Sequence, residues 1–346
     1  MKYIVTFHFS KNYGAFLQAF SLAKFLNASC VNFIPGYRFF VGARIKRKLP
    51  FLWSILAFLR SLKCDNQKFE EFENLPKTPF LKNVESLKKH FSLDSAFIAG
   101  SDQIWNPKFI SEREEIYFLD FAPPSAKRIS YAASLGMKQW PKDFEQRVLP
   151  MLQKFDAISV REESSVPYLT SLGLKNVVCV CDPTILHTGD FYRREFPGAK
   201  IPKNEYAFVY KIRERIPEPV QELFADKVIT VDLQKKRTIV SVTDWLGLID
   251  HAKFVVTDSF HCAVFCLLFH KPFIVLPNNS TQQGMNERFA TLLGKTGLEY
   301  RCIGKNDSSE EISEKLNAPV DWAEVESILQ EWRTYSANWL KNALEN

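Results

Sequence analysis

The stretch KFVVTDSFHCAVFCLLFHKPFIVLP, residues 253–277, limits the fold more than any other part of the chain. Phe254, Val255 and Val256 read as a buried strand, and Thr257 to His261 interrupt it with polar groups. Residues 262–269 read as an apolar helix and 273–276 as a second buried strand. A strand, a crossover helix and a second strand make a parallel pair. The first strand ends in Asp258, Ser259 and His261 just where the helix begins. That position is the carboxyl edge of a sheet, where open α/β folds hold ligands, and the free N–H groups of a helix start suit an anion. A plainer reading uses the same residues: Ser259 caps the helix and His261 is packed. In an isolated unit the plainer reading wins, so the rest of the chain has to decide.

The same alternation runs through the chain. Residues 2–8, 30–34, 96–99, 128–133, 157–160 and 177–181 read as strands, and 12–27, 142–155 and 162–172 as helices, with Gly173 a cap. Residues 187–204 mix Gly, Pro and charge without periodicity and read as a linker. A second set follows: strands at 206–210 and 228–231, helices at 218–226 and 243–251 with Thr243 as N-cap, then the opening unit. This predicts an α/β protein with two Rossmann-like doubly wound domains facing a cleft. The first spans 1–188 with a helical insertion at 36–92, the second spans 189–320, and an amphipathic, Trp-rich helix occupies 321–346.

Composition narrows the class. With 46% hydrophobic and 24% charged residues among 346, the chain is of ordinary globular type and long enough for two cores. Seven Cys, several inside apolar runs, suit reduced buried thiols in a cytosol rather than a disulfide framework, and their spacing does not predict a metal site. The apolar start is too short for a signal peptide, and the longest apolar stretch, 49–59, is too short to span a bilayer. A cytoplasmic protein is expected. Charge is uneven: the first 64 residues carry +10 and no acid, against a net +6 for the whole. Arg44, Lys46, Arg47 and Lys48 precede the apolar stretch. Residues 38–63 therefore read either as a peripheral contact with the inner membrane face or a lipid diphosphate, or as a solvated loop and a packed helix. No motif that reads nucleic acid is present.

Three polar turns follow strands in the first half. Gly14 permits close backbone approach, and Asn12 and Gln18 can hydrogen-bond a hydroxylated ligand. The run GSDQIWNP, from Gly100, Ser101 and Asp102 to Trp105, Asn106 and Pro107, offers a ring face beside hydroxyl-binding groups, as a sugar platform does. Arg161 at a strand end can fork onto a carboxylate or phosphate. Each has a structural alternative: Gly100 to Asp102 turning the chain, or Arg161 pairing with Glu162 or Glu163.

Taken in order, NYGAFLQ at Asn12, GSDQIWNP at Gly100, RISYAASLG at Arg128, ISVRE at Ile158, DPT at Asp182, Trp245-Leu246, TDSFH at Thr257 and NERF at Asn286 carry a family resemblance. The chain resembles the polysaccharide pyruvyl transferases from residue 1 to about 300. It departs from them at Cys262, where the family has Gly after the His, so that a side chain is expected to narrow the donor pocket. The resemblance implies a GT-B-like fold whose C-terminal helix crosses back to the first domain. It implies phosphoenolpyruvate as co-substrate, no separate cofactor, a sugar diol as acceptor and a cyclic pyruvate ketal as product. The first domain is then the acceptor side, with Asn12, Gly14, Gln18, Gly100, Ser101, Asp102, Trp105 and Asn106. The second is the donor side, with Ser259, Arg288 and Asp258, joined by Ser134. A carboxylate and a phosphate need cations, for which Arg161 and Arg288 are the candidates. Protonating the enol carbon needs an acid, and His261 is the candidate. Asp102 or Asp258 could take the hydroxyl proton. A nucleotide-sugar glycosyltransferase on the same fold, and a silent sugar-binding protein, are the alternatives.

Overall fold

Short, doubly buried strands pair in parallel throughout. The structure, a computed structural model, describes residues 1–8, 12–33, 71, 74–81, 83–110, 112–214, 216–222, 228–235, 238–277, 286–304 and 306–345. Strands β1 (Lys2–Val5), β2 (Ser29–Cys30), β3 (Ala96–Ala99), β4 (Lys127–Ala133), β5 (Ala157–Val160) and β6 (Val178–Cys179) form a six-stranded sheet in the order β2-β1-β3-β4-β5-β6. Strands β7 (Ala207–Lys211), β8 (Val228–Asp232), β9 (Phe254–Thr257) and β10 (Phe273–Val275) form a second sheet in the order β10-β9-β7-β8. Every pairing in both is parallel. Runs such as Phe97-Ile98-Ala99 and Val255-Val256 are apolar without alternation because helices cover both faces.

One continuous apolar cluster joins the two sheets. It runs from Ile4, Ile98 and Ile129 through the Tyr13–Leu26 and Phe260–Leu268 helices to Phe208, Val255 and Phe273. Tyr13 stacks on Trp245 with ring centroids 4.8 Å apart and planes 4° apart. A second, aromatic cluster built on Phe97, Trp105, Phe118 and Trp140 fills the other face of the first sheet. The Trp322–Glu345 helix starts beside His270, whose ring stacks on Trp322, and ends on the first sheet. There Ser336 Oγ accepts from the Cys181 N–H, Arg333 Nε donates to the Ile185 carbonyl, and Lys127 donates to the Leu344 carbonyl. The terminal helix thus crosses back to the first sheet. Among the described residues no helix is long and apolar enough to cross a membrane.

The expected linker at 187–204 contains a helix, Gly189–Glu195. Its aromatic residues are the reason. Tyr192 is buried against Phe265, and its hydroxyl donates to the Thr184 carbonyl. Thr243 is not the cap of its helix: Ser241 is, and the Thr243 N–H and hydroxyl donate to Glu71 instead. Of the expected insertion at 36–92, the described part includes the Val84–His90 helix. The basic cluster at 44–48 and the apolar stretch at 49–59 lie outside the described residues.

Candidate functional site

Four strands of the first sheet release polar residues at one edge, and these residues bind one another. Ser101 follows β3, Ser134 follows β4, Arg161 and Glu162 follow β5, and Asp182 lies beyond β6. A register shift in β4 between Ser130 and Ala133, with Ala132 at φ 52°, delivers Ser134. A left-handed alanine costs roughly 1–2 kcal/mol. Paired serines offset this strain: Ser159 Oγ donates to the Ser130 carbonyl and accepts from the Ala132 N–H. Bulges of this kind re-aim a chain beside a site.

Asp182 is the centre of the cluster and is fully buried. Its Oδ2 accepts from Ser101 Oγ at 2.8 Å and from Arg161 Nη1 at 3.0 Å. Its Oδ1 accepts from the Thr184 N–H and hydroxyl. His261 of the second sheet brings Nε2 to 3.4 Å from the same Oδ2, within ion-pair reach but without the alignment of a hydrogen bond. Burial pushes the Asp182 carboxyl upward; His261 and then Arg161 outweigh it and hold it far below the ordinary carboxylate range.

Arg161 spans the cluster. Its Nε donates to Glu162 Oε1, which also accepts from Ser134 Oγ at 2.6 Å. Burial opposes the Arg161 charge, but Glu162, Asp182 and Asp102 outweigh it. Its guanidinium lies 4.5 Å from the Phe260 ring, and that of Arg288 lies 5.9 Å from the same ring. The Glu287–Thr296 helix presents Arg288 because it docks on the loop after β5: the Glu163 N–H donates to Thr291 Oγ1, and Lys295 pairs with Glu163. Desolvation, then repulsion from Arg161, lowers the half-buried Arg288 to about 10. Four buried atoms here have no hydrogen-bond partner among the described residues: Arg161 Nη2, Arg288 Nε, His261 Nε2 and Glu162 Oε2. Unmet polar groups this deep are costly, which makes the cluster the candidate ligand site.

The sequence profile of polysaccharide pyruvyl transferase matches residues 12–280, most of the chain and all four of the strand ends that build the cluster. The chain belongs to the polysaccharide pyruvyl transferase family. No curated protein matches it. Among solved structures, UDP-GlcNAc 2-epimerase from Neisseria meningitidis bound to UDP-GlcNAc is similar at 12% identity and a TM-score of 0.51, covering 100% of both chains. UDP-GlcNAc 2-epimerase from Methanocaldococcus jannaschii is similar at 12% identity and a TM-score of 0.51, covering 97% of this chain and 99% of that one. These likenesses concern the fold, which is GT-B-like.

The structure gathers some of the residues expected of a family member and withholds others. His261, Arg161, Arg288 and Ser134 meet, and Ser101 joins them as a support for Asp182. Gly14 lies against His261 rather than against open space: a Cβ there would fall 2.0 Å from His261 Nδ1. Asn12 is the cap of the Tyr13–Leu26 helix, accepting from the Gly14 and Ala15 N–H groups. Asp102 is half-buried at φ 68° and faces the charges of Arg161 and Arg288.

Seven expectations need correction. Trp105 offers no ring face, being fully buried and stacked on Phe118, with Nε1 donating to the Tyr117 carbonyl. Asn106 is buried and spent on Gln103 and the Lys108 N–H. Gln18 is buried and its amide donates to Thr6, Phe7 and Ala15. Gly100 packs closely on Thr6 and Ile4. Asp258 is consumed by backbone: its carboxylate accepts from the N–H groups of Ile212, Arg213 and Glu214 at 2.7, 2.7 and 2.8 Å. Ser259 caps its helix, accepting from the Cys262 N–H. The Cys262 thiol lies in the interior near Cys266 and Tyr210, so it does not narrow the space around His261. Sequence reasoning missed Asp182 and Glu162 as site residues. The available signal was an acid at the end of a strand-like run, directly after it for Asp182 and one residue later, beyond Arg161, for Glu162.

Proposed function

We propose that this protein transfers a pyruvyl group from phosphoenolpyruvate to two hydroxyls of one sugar, in a polysaccharide or its lipid-linked precursor, forming a cyclic ketal and releasing phosphate. The observation that carries this reading is the pair of unpartnered guanidinium edges, Arg161 Nη2 and Arg288 Nε, gathered over one ring beside His261. The carboxylates of Glu162 and Asp182 leave these two N–H groups unused, and a donor with both a carboxylate and a phosphate offers an acceptor to each.

The chemistry follows from the charges. His261 gives its proton to the methylene carbon of the enol, and Asp182 supplies the counter-charge for the protonated imidazole. The neighbouring carbon becomes electrophilic, and one sugar hydroxyl adds to it and loses its proton. Phosphate departs with the electrons of its C–O bond. The second hydroxyl then adds, loses its proton and closes the ketal. One hydroxyl proton replaces that given by His261, and the other leaves with phosphate.

Thermal melting tests the donor. Phosphoenolpyruvate at a hundredfold excess over its dissociation constant stabilises by about 2.7 kcal/mol, read as a raised Tm. A Tm raised by a nucleotide sugar and not by phosphoenolpyruvate sinks the proposal in favour of a glycosyltransferase, and a Tm raised by neither favours a silent sugar binder. Phosphate release with a panel of lipid-linked and soluble sugars identifies the acceptor. The acid-free basic segment suits a lipid diphosphate, so a lipid-linked acceptor is expected to be preferred at low salt.

A further inference from the structure

The open atoms of the cluster are of two kinds. Arg161 Nη2 and Arg288 Nε are donors without acceptors, whereas Glu162 Oε2 is an acceptor without a donor. Glu162 is only 3% exposed, and its other oxygen is already engaged by Ser134 and Arg161. Phosphoenolpyruvate at neutral pH presents acceptor oxygens. It satisfies the two guanidinium edges and leaves Glu162 unmet, since two anionic oxygens repel. A sugar hydroxyl is a donor, and it is the component of the proposed reaction that can meet Oε2.

Of the other acids near the cluster, Asp182 uses both oxygens on Ser101, Arg161 and Thr184, and Asp258 uses its carboxylate on three backbone N–H groups. Asp182 has no lone pair left, and Asp258 is fixed on backbone by three of its four acceptor sites. Asp102 faces Arg161 and Arg288, but it is half-buried and, among the described residues, no hydrogen bond fixes its carboxylate oxygens. Glu162 is held from one side by a hydroxyl and a guanidinium, so its open oxygen is aimed.

We propose that Glu162 is the general base of the transfer, accepting at Oε2 the proton of the sugar hydroxyl that attacks the pyruvyl carbon. The hydroxyl oxygen forms its bond to that carbon as its O–H electrons are released, the proton passes to Glu162, the π electrons of the enol take the proton from His261, and Glu162 then gives its proton to the departing phosphate. This assignment rests on the pyruvyl-transfer reading. A wild-type protein that shows no Tm shift with phosphoenolpyruvate, and no phosphate release with any sugar, ends that reading before any variant is made.

The test of Glu162 begins from an active wild type. Glu162→Gln is expected to keep the phosphoenolpyruvate Tm shift and lose at least a hundredfold in kcat, the size of a general-base contribution. Turnover within threefold of wild type overturns the proposal and means that a bound water meets Oε2. Loss of the donor shift together with turnover also overturns it, by making Glu162 a prop for Arg161. Should Glu162→Gln fail to fold, Glu162→Asp decides. It keeps the carboxylate but withdraws it by one methylene, so kcat should fall while the donor shift persists. Unchanged kcat in Glu162→Asp rejects the assignment.

Discussion

The carboxyl edges of the two sheets carry similar residues and use them differently. In the six-stranded sheet, Ser101, Ser134, Arg161, Glu162 and Asp182 bond side chain to side chain, which leaves Arg161 Nη2 and Glu162 Oε2 open. In the four-stranded sheet the acids serve their own backbone. Asp258 holds the turn after β7, and Asp232 accepts from the Gln234 N–H while pairing with Lys211 at 3.2 Å. From that edge His261 and, beyond it, Arg288 reach the shared cluster. An acid at a strand end is therefore available to a ligand according to what its oxygens already hold. On the proposed reading, the six-stranded edge carries the chemistry and the four-stranded edge aims a histidine at it.

Asp182→Asn strikes the comparison hardest, because it removes the charge that both edges share. Turnover is expected to fall at least a thousandfold, and stability by about 3 kcal/mol, as when one partner of a buried pair is removed. Chemical denaturation at several pH values checks this. The folded Asp182 carboxyl lies below its unfolded value near 3.9, so its stabilisation is present above that pH and is lost as pH falls from about 5. In the Asn variant that acid-dependent portion should be missing. A variant as stable and active as wild type would mean that the two edges do not depend on Asp182.

His261→Gln comes next. A loss of about a hundredfold in kcat with an unchanged melting curve is expected of a proton donor; gross unfolding would instead mark His261 as packing. Gly14→Ala probes the same ring from the other domain. The new methyl must displace His261, and kcat should fall about tenfold with little change in KM for phosphoenolpyruvate. An unaltered kcat would show that the imidazole position is not set by this contact.

The smallest effect on activity belongs to Asp258→Asn. Losing the charge from three backbone contacts should cost about 2 kcal/mol of stability in urea unfolding and leave kcat within threefold. A hundredfold loss of kcat in a folded variant would return Asp258 to the reaction and dissolve the contrast between the edges.

Much of the architecture was legible in residue order alone. Strands β3 and β5 fall where mostly apolar runs place them, because a strand buried on both faces is apolar on both, and the one polar residue inside β5, Ser159, is spent on Ser130 and Ala132 of the neighbouring strand. The same logic put Arg161 and His261 at strand ends. Trp105, Asn106 and Gln18 were misread for a shared reason. Each lies beside a strand end, but their hydrogen-bond and packing partners, Tyr117, Gln103 and Thr6, come from elsewhere in the fold or from a turn whose shape the sequence does not display.

Sequence by itself determined the class of fold, the two sets of parallel strands and the residue types that stand at their edges, since periodicity and chain connectivity are local properties. Tertiary structure decided which of those residues have hydrogen-bonding capacity left over. It made Asp182 the hub by bringing Ser101, Arg161 and His261 to one oxygen across gaps of 81, 21 and 79 residues. It also left Glu162 Oε2 open while closing Asp258. A carboxylate's lone pairs are filled by whichever donors lie within about 3 Å, and that is a property of space rather than of order along the chain.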